Sequence, residues 1–204
     1  MCIRDSLAPK SSTYQEVASS LELVLDNLLI QNKETPEWES FWETWNGTLL
    51  AETNNAYEKR ITTYKQNGWT RDQFHQILTI GCFPLHPLTA YLLCNLSFTV
   101  DRTALQFIKK EAKEFIQNQP LTLEGAEQKL NFIYPVALID TFLDNFANDS
   151  NYSKYKEAYR VVSGSDDPDE LIVLKALFLF HASGNLAKTD RESHEEILAT
   201  LAGL

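Results

Sequence analysis

An all-α fold, an irregular lid-like bundle of about eight to ten helices, is what this 204-residue sequence predicts. Three observations carry that reading. Apolar residues recur at three- and four-residue spacing along most of the chain, as the 3.6-residue turn requires. Helix-start signatures precede most of these periodic runs. No run alternates with the period of two that marks a half-buried strand. Hydrophobic residues at 44% and charged residues at 23% then place the chain among globular proteins and not disordered ones.

The elements follow in order. Thr13-x-x-Glu16 is a capping-box pattern, and Tyr14, Val17, Leu21, Val24, Leu25 and Leu28 behind it form one amphipathic face. Thr35-Pro36 supplies a cap and a first-turn proline to a stripe of Trp38, Phe41, Trp42, Trp45 and Leu49. Tyr57, Ile61 and Tyr64 continue that stripe to a stop at Asn67-Gly68, and Asn46-Gly47 is a potential break inside it. Thr70-x-x-Gln73 opens a short helix ending at Gly81, and Pro87 opens another that runs to about Ser97. Asp101 starts a helix through Leu105, Ile108, Ala112 and Phe115, and Pro135 starts one bearing Val136, Leu138, Ile139, Phe142 and Phe146. Asn151 to Val162 is Tyr-rich. Asp167-Pro168-Asp169-Glu170 combines a cap, a proline and two acids at a helix start. The helix it launches, Leu171 to His181, is apolar on nearly all sides and is expected at the centre of a core. Thr189-x-x-Glu192 is read as the cap of a last helix carrying Ile197, Leu198 and Leu201.

Composition excludes several function classes. A net charge of −10 argues against a nucleic-acid clamp, which needs a basic face. No run reaches the roughly 18 apolar residues of a membrane span. The longest, Leu171 to Ala182, is broken by Lys175 and His181. Residues 1–6, Met-Cys-Ile-Arg-Asp-Ser, read as the translation of a sequencing-library adapter end. They are set aside, and the gene is expected to continue upstream of Leu7. That leaves Cys82 and Cys94, too few for a disulfide scaffold and in keeping with a cytoplasmic location. A soft boundary near Gln117 to Gly125 divides the remainder into helical regions 7–118 and 119–204, the second open at its end.

The stretch from Gly81 to Thr103 concentrates the chemistry-bearing residues. Cys82, His86 and Cys94 lack a fourth ligand and the close pairing of a structural zinc site, so no metal is assigned. Cys94 falls inside a Leu-rich helix, where burial makes a thiol inert, and Cys82 carries no catalytic signature. No catalytic residue is assigned either. Asp166, Asp167, Asp169 and Glu170 lack the glycine and distal Glu of a calcium loop, and helix capping accounts for them. In Asp101-Arg102-Thr103, Asp101 suits an N-cap, whereas Arg102 places a cation at the positive end of a helix dipole. A guanidinium there is suited to bidentate binding of a phosphate or a partner's carboxylate, the plainer alternative being an ion pair with Asp101. The aromatic stripe from Trp38 to Trp45 reads as core or interface before it reads as a base-stacking platform. The sequence contains no GxxxxGK[ST] and no GxGxxG.

The run Phe83-Pro84-Leu85-His86-Pro87-Leu88-Thr89-Ala90, its Leu-rich helix, Asp101-Arg102-Thr103 and Phe107-Ile108 together resemble a segment of large bacterial P-loop ATPases of the AAA/STAND-like group. Several of these are associated with antiphage defence. Tyr134 to Phe142 and Val173 to Leu177 resemble the helices that follow there in the same order, so the likeness spans about half the chain, Phe74 to His181. The family's polar-Asn-Glu-Arg-Thr turn reads Thr99-Val100-Asp101-Arg102-Thr103 here, without the Asn. The resemblance implies a helical lid after a nucleotide-binding core that this chain lacks, itself without activity. It implies ATP and Mg²⁺ in the parent, the missing nucleotide-binding domain as partner, and a homo-oligomer. Arg102 would be a phosphate sensor or intersubunit arginine, flanked by Asp101 and Thr103, with His86 and Pro87 starting and aiming the helix before it. The competing expectation is a stand-alone acidic interaction module with no catalytic activity.

Overall fold

The structure is a computed structural model that describes residues 2–3, 21–59, 64, 68–96, 101–123, 128–188 and 192–204. The side chains of Cys2, Ile3, Asp101, Arg102 and Thr103 lie outside the description. The fold is all-α, a multi-helix bundle with a few minimal strand pairings. Among the described residues, no helix is long and apolar enough to cross a membrane.

The strand pairings depart from the strand-free expectation. Strand β1 (Cys2–Ile3) pairs antiparallel with β2 (Leu29–Ile30), which continues directly from helix α1 (Leu21–Leu28). Two-residue strands carry too little periodicity to register in a sequence pattern. The capping box at Thr13 falls outside the described residues.

Helix α2 (Pro36–Lys59) runs unbroken through Asn46-Gly47. Gly47 is exposed with open space around it, and its intrinsic cost of roughly 0.5–1 kcal/mol is outweighed by the burial of Trp45 and Leu49 on either side. The cap at Thr70 forms as expected. Its hydroxyl accepts from Gln73 N while the Gln73 side chain accepts from Thr70 N. Helix α3 (Arg71–Phe74) then widens into π-helical turns over His75–Gly81. Gly81 is required where it stands, because a Cβ there would lie 2.1 Å from Asp26 Oδ1 and 3.0 Å from the Gln76 carbonyl.

Helix α4 (Pro87–Asn95) is the centre of the molecule, with every residue from Pro87 to Leu93 buried. It carries no charged side chain, so each of its faces meets a neighbour without desolvating an ion. Helix α5 (Asp101–Phe107), a π-helical segment Ile108–Ala112 and α6 (Lys113–Asn118) follow one another without a break. The ribbon β3 (Thr122–Leu123) with β4 (Lys129–Leu130) follows. Pro135 and Val136 form a turn ahead of helix α7 (Ala137–Phe142), which tightens into a 3₁₀ turn at Leu143–Phe146.

Helix α8 (Tyr152–Val162) and α9 (Pro168–Ala182) form a hairpin. Helix α10 (His194–Ala202) packs on α9 and ends at Gly203, whose φ of 81° is the left-handed conformation that glycine adopts without strain. The last helix begins later than the sequence suggests. Ser193 is its N-cap, closed into a capping box by Glu196, and residues 189–191 lie outside the description. Two S/T-x-x-E patterns, beginning at Thr189 and Ser193, stand four residues apart here, and local pattern alone does not choose between them.

The larger hydrophobic cluster runs from Leu25 to Ala202 and draws on residues from both of the helical regions 7–118 and 119–204. A smaller one joins Trp45 and Leu49 to Phe83, Leu130 and Phe132.

Candidate functional site

Among the described residues, three places are candidate sites. The first is the PLHP segment itself. Ile133 lies beside it as a parallel bridge to Leu85: Ile133 N donates to the Pro84 carbonyl at 2.8 Å and His86 N donates to the Ile133 carbonyl at 3.1 Å. Thr89 Oγ1 donates to the same Ile133 carbonyl at 2.7 Å. His86 is the N-cap of α4, its Nδ1 accepting from Leu88 N at 3.2 Å, and Pro87 takes the first helical position. An imidazole accepting at Nδ1 carries its proton on Nε2. That nitrogen lies 3.4 Å from Glu52 Oε2 on α2. The ring stacks on Tyr134 at 5.3 Å between centroids and meets Phe132 edge-on at 5.6 Å. His86 is therefore 5% exposed and engaged at both nitrogens, a helix-orienting residue. Beside it the Lys59–Glu192 ion pair ties the end of α2 to the approach of α10.

Burial pushes both thiols well above the usual cysteine range, with the nearby acids Asp26 and Glu22 acting in the same direction on Cys82. A thiol held protonated in this way is a poor nucleophile. Among the described residues, no group of three or more His, Cys, Asp or Glu side chains converges as metal ligands.

The second place is a buried hydroxyl cluster. Thr53 Oγ1 lies 3.0 Å from the Leu49 carbonyl, 2.8 Å from Thr79 Oγ1 and 2.6 Å from His75 Nδ1. Sequence reasoning had no signal for it, because a lone threonine in a helix and a histidine 22 residues away share no motif. Burial lowers the His75 pKa below 6.5; the Arg71 charge adds to this and Asp72 opposes it. A histidine whose folded pKa is depressed contributes stability that is complete above about pH 6.5 and is lost as the pH falls below it. The urea midpoint is thus expected to decline from pH 7 towards pH 5.5, and His75→Gln is expected to flatten that decline. An equal slope in the variant would assign the decline to other groups.

The third place is a cleft of about 410 Å³ beside the start of α2. The aromatic stripe divides here. Trp45 enters the smaller core, while half-buried Trp38 and Phe41 line the cleft in series with Phe83, at centroid distances of 5.6 and 5.4 Å. Buried Gln31 and the exposed Asn32 and Glu37 also line the cleft.

In the acidic loop, Asp167 Oδ1 accepts from Asp169 N at 3.0 Å as the N-cap of α9. Asp101, Arg102 and Thr103 occupy the first turn of α5, and their side chains lie outside the described residues. No known protein family, curated protein or solved structure matches this chain.

Proposed function

We propose that this chain is a helical, lid-like region of a bacterial P-loop ATPase of the AAA/STAND-like group, inactive by itself and relaying nucleotide state to an effector. One observation carries the reading. The segment on which the resemblance rests lies at the centre of the fold, with His86 and Pro87 starting α4, whose residues Pro87 to Leu93 are all buried. Helix α5, which begins at Asp101, packs against α1, which also packs against α4. A sensor arginine needs such a mounting, since charge stabilisation depends on pre-organised placement.

In this reading ATP and Mg²⁺ bind in the neighbouring domain, where the metal and the phosphate loop supply the charge neutralisation that phosphoryl transfer requires. In this reading His86 serves mainly to start the helix, its two ring nitrogens facing Leu88 N and Glu52. From this chain Arg102 alone would act on the nucleotide, its guanidinium offering charge and two parallel donors to phosphate oxygens. Asp101 and Thr103 would fix the helix start that carries it.

The test is made in the full-length parent. Arg102→Ala is expected to lower ATP turnover about tenfold or more with the circular dichroism spectrum unchanged, and Arg102→Lys to restore little of it. Unchanged turnover would remove the sensor role. A reading frame that starts immediately before Leu7, with no P-loop upstream, would remove the ATPase assignment itself.

A further inference from the structure

Apart from Lys175, which pairs with Asp140, helix α9 is apolar on nearly all sides from Leu171, Ile172 and Val173 to Leu177, Phe178, Leu179 and Phe180. A helix of that kind belongs inside a core. Here it is enclosed on one side only. Ala176, Leu179 and Phe180 are buried, and Phe178 stacks on Tyr155 of α8 at 4.5 Å. Val173 and Leu177 remain 45% and 42% exposed. The open side is a groove between α8 and α9 made of two adjoining hollows of about 290 and 550 Å³, both lined by Leu174 and Leu177.

The ends of this groove carry opposite charge. Lys154 lines one end, and Asp167, Asp169 and Glu170 line the other. The α9 segment from Asp169 to His181 spans about 18 Å at 1.5 Å per residue, so the charged ends are separated by an apolar floor. A groove with this layout is complementary to itself when turned end for end. A two-fold axis through Leu174 and Leu177 lays the Lys154 end of each copy on the acidic end of the other. The parallel arrangement instead sets acids against acids.

We infer that the α8–α9 hairpin is a homodimer interface, in which two hairpins close into an antiparallel four-helix bundle with Val173, Leu174 and Leu177 at its centre. Each hairpin buries the face that it cannot bury alone. The charge layout sets the direction of pairing, and the exposed leucine and valine supply the contact that holds it.

Sedimentation velocity on the 204-residue chain tests the inference. A monomer–dimer equilibrium is expected at micromolar concentration. Leu177→Asp is expected to raise the dissociation constant at least about tenfold, with its circular dichroism spectrum and melting curve unchanged. Lys154→Glu has two acidic ends and the double variant Asp169→Lys, Glu170→Lys has two basic ones. Each alone is expected to dimerise weakly, and their mixture to form a heterodimer. A wild-type chain that stays monomeric to about 100 µM overturns the inference. So does a dimer that Leu177→Asp leaves intact, or a charge-swapped pair that fails to combine.

Discussion

Leu92→Ala is expected to destabilise the protein by about 2–5 kcal/mol without introducing a charge. Leu92 is fully buried in α4, whose residues Pro87 to Leu93 are all buried. Helix α4 packs against α1, α2 and the π-helical turns of His75–Gly81. When a site is surrounded by elements that are themselves tied elsewhere, the walls cannot collapse into the space left by the missing carbons. The cost then includes most of the cavity term along with the transfer term. Urea unfolding reads the result as a lower midpoint at an unchanged slope. Leu177→Ala on the open side of α9 is the matched control, with an expected loss below about 1 kcal/mol in the monomer. Equal losses at the two positions would show that α4 is not the mechanical centre of the fold.

The contrast between α4 and α9 also shows what a sequence of this kind reveals. Both helices read as all-round apolar, and both start signals, His86-Pro87 and Asp167-Pro168, act as the caps their residue types suggest. Burial itself did not follow from that pattern. Periodicity reports which side chains prefer an apolar neighbour, and says nothing of whether a neighbour from this chain is there. The bundle class was legible because caps and spacing are local. Four features were not: the Ile133 bridge to Leu85, the Thr53–His75–Thr79 cluster, the ion pair of Lys59 with Glu192, and the seat of His86 against Tyr134. Each joins residues separated by tens of positions, and no single-chain pattern encodes such a pairing. Gly47 misled for the converse reason: a local breaker was overruled by long-range burial of Trp45 and Leu49.

His86 offers the sharper experiment, because its contributions separate by substitution. His86→Ala removes the acceptor for Leu88 N, the ring that fills the space between Tyr134 and Phe132, and the group facing Glu52. Loss of an N-cap alone costs about 0.5–2 kcal/mol, and loss of a packed ring adds to it, so a total of about 2–4 kcal/mol is expected. His86→Asn keeps a side-chain acceptor at the cap while giving up the stack. It is expected to recover about 1 kcal/mol of the loss. Tyr134→Leu in the wild-type background removes the stacking partner and leaves the cap in place. A double-mutant cycle between the two positions then isolates the ring–ring contribution at about 0.5–1.5 kcal/mol. If Asn and Ala prove equally damaging, the hydrogen bond to Leu88 N contributes nothing, and the start of α4 is set by Pro87 and the Ile133 bridge alone. If Asn restores nearly everything, the ring is incidental and the residue is needed only as a cap. The structure predicts neither extreme, because the cap bond and the stack sit on opposite parts of one buried imidazole and each fixes the orientation that the other requires.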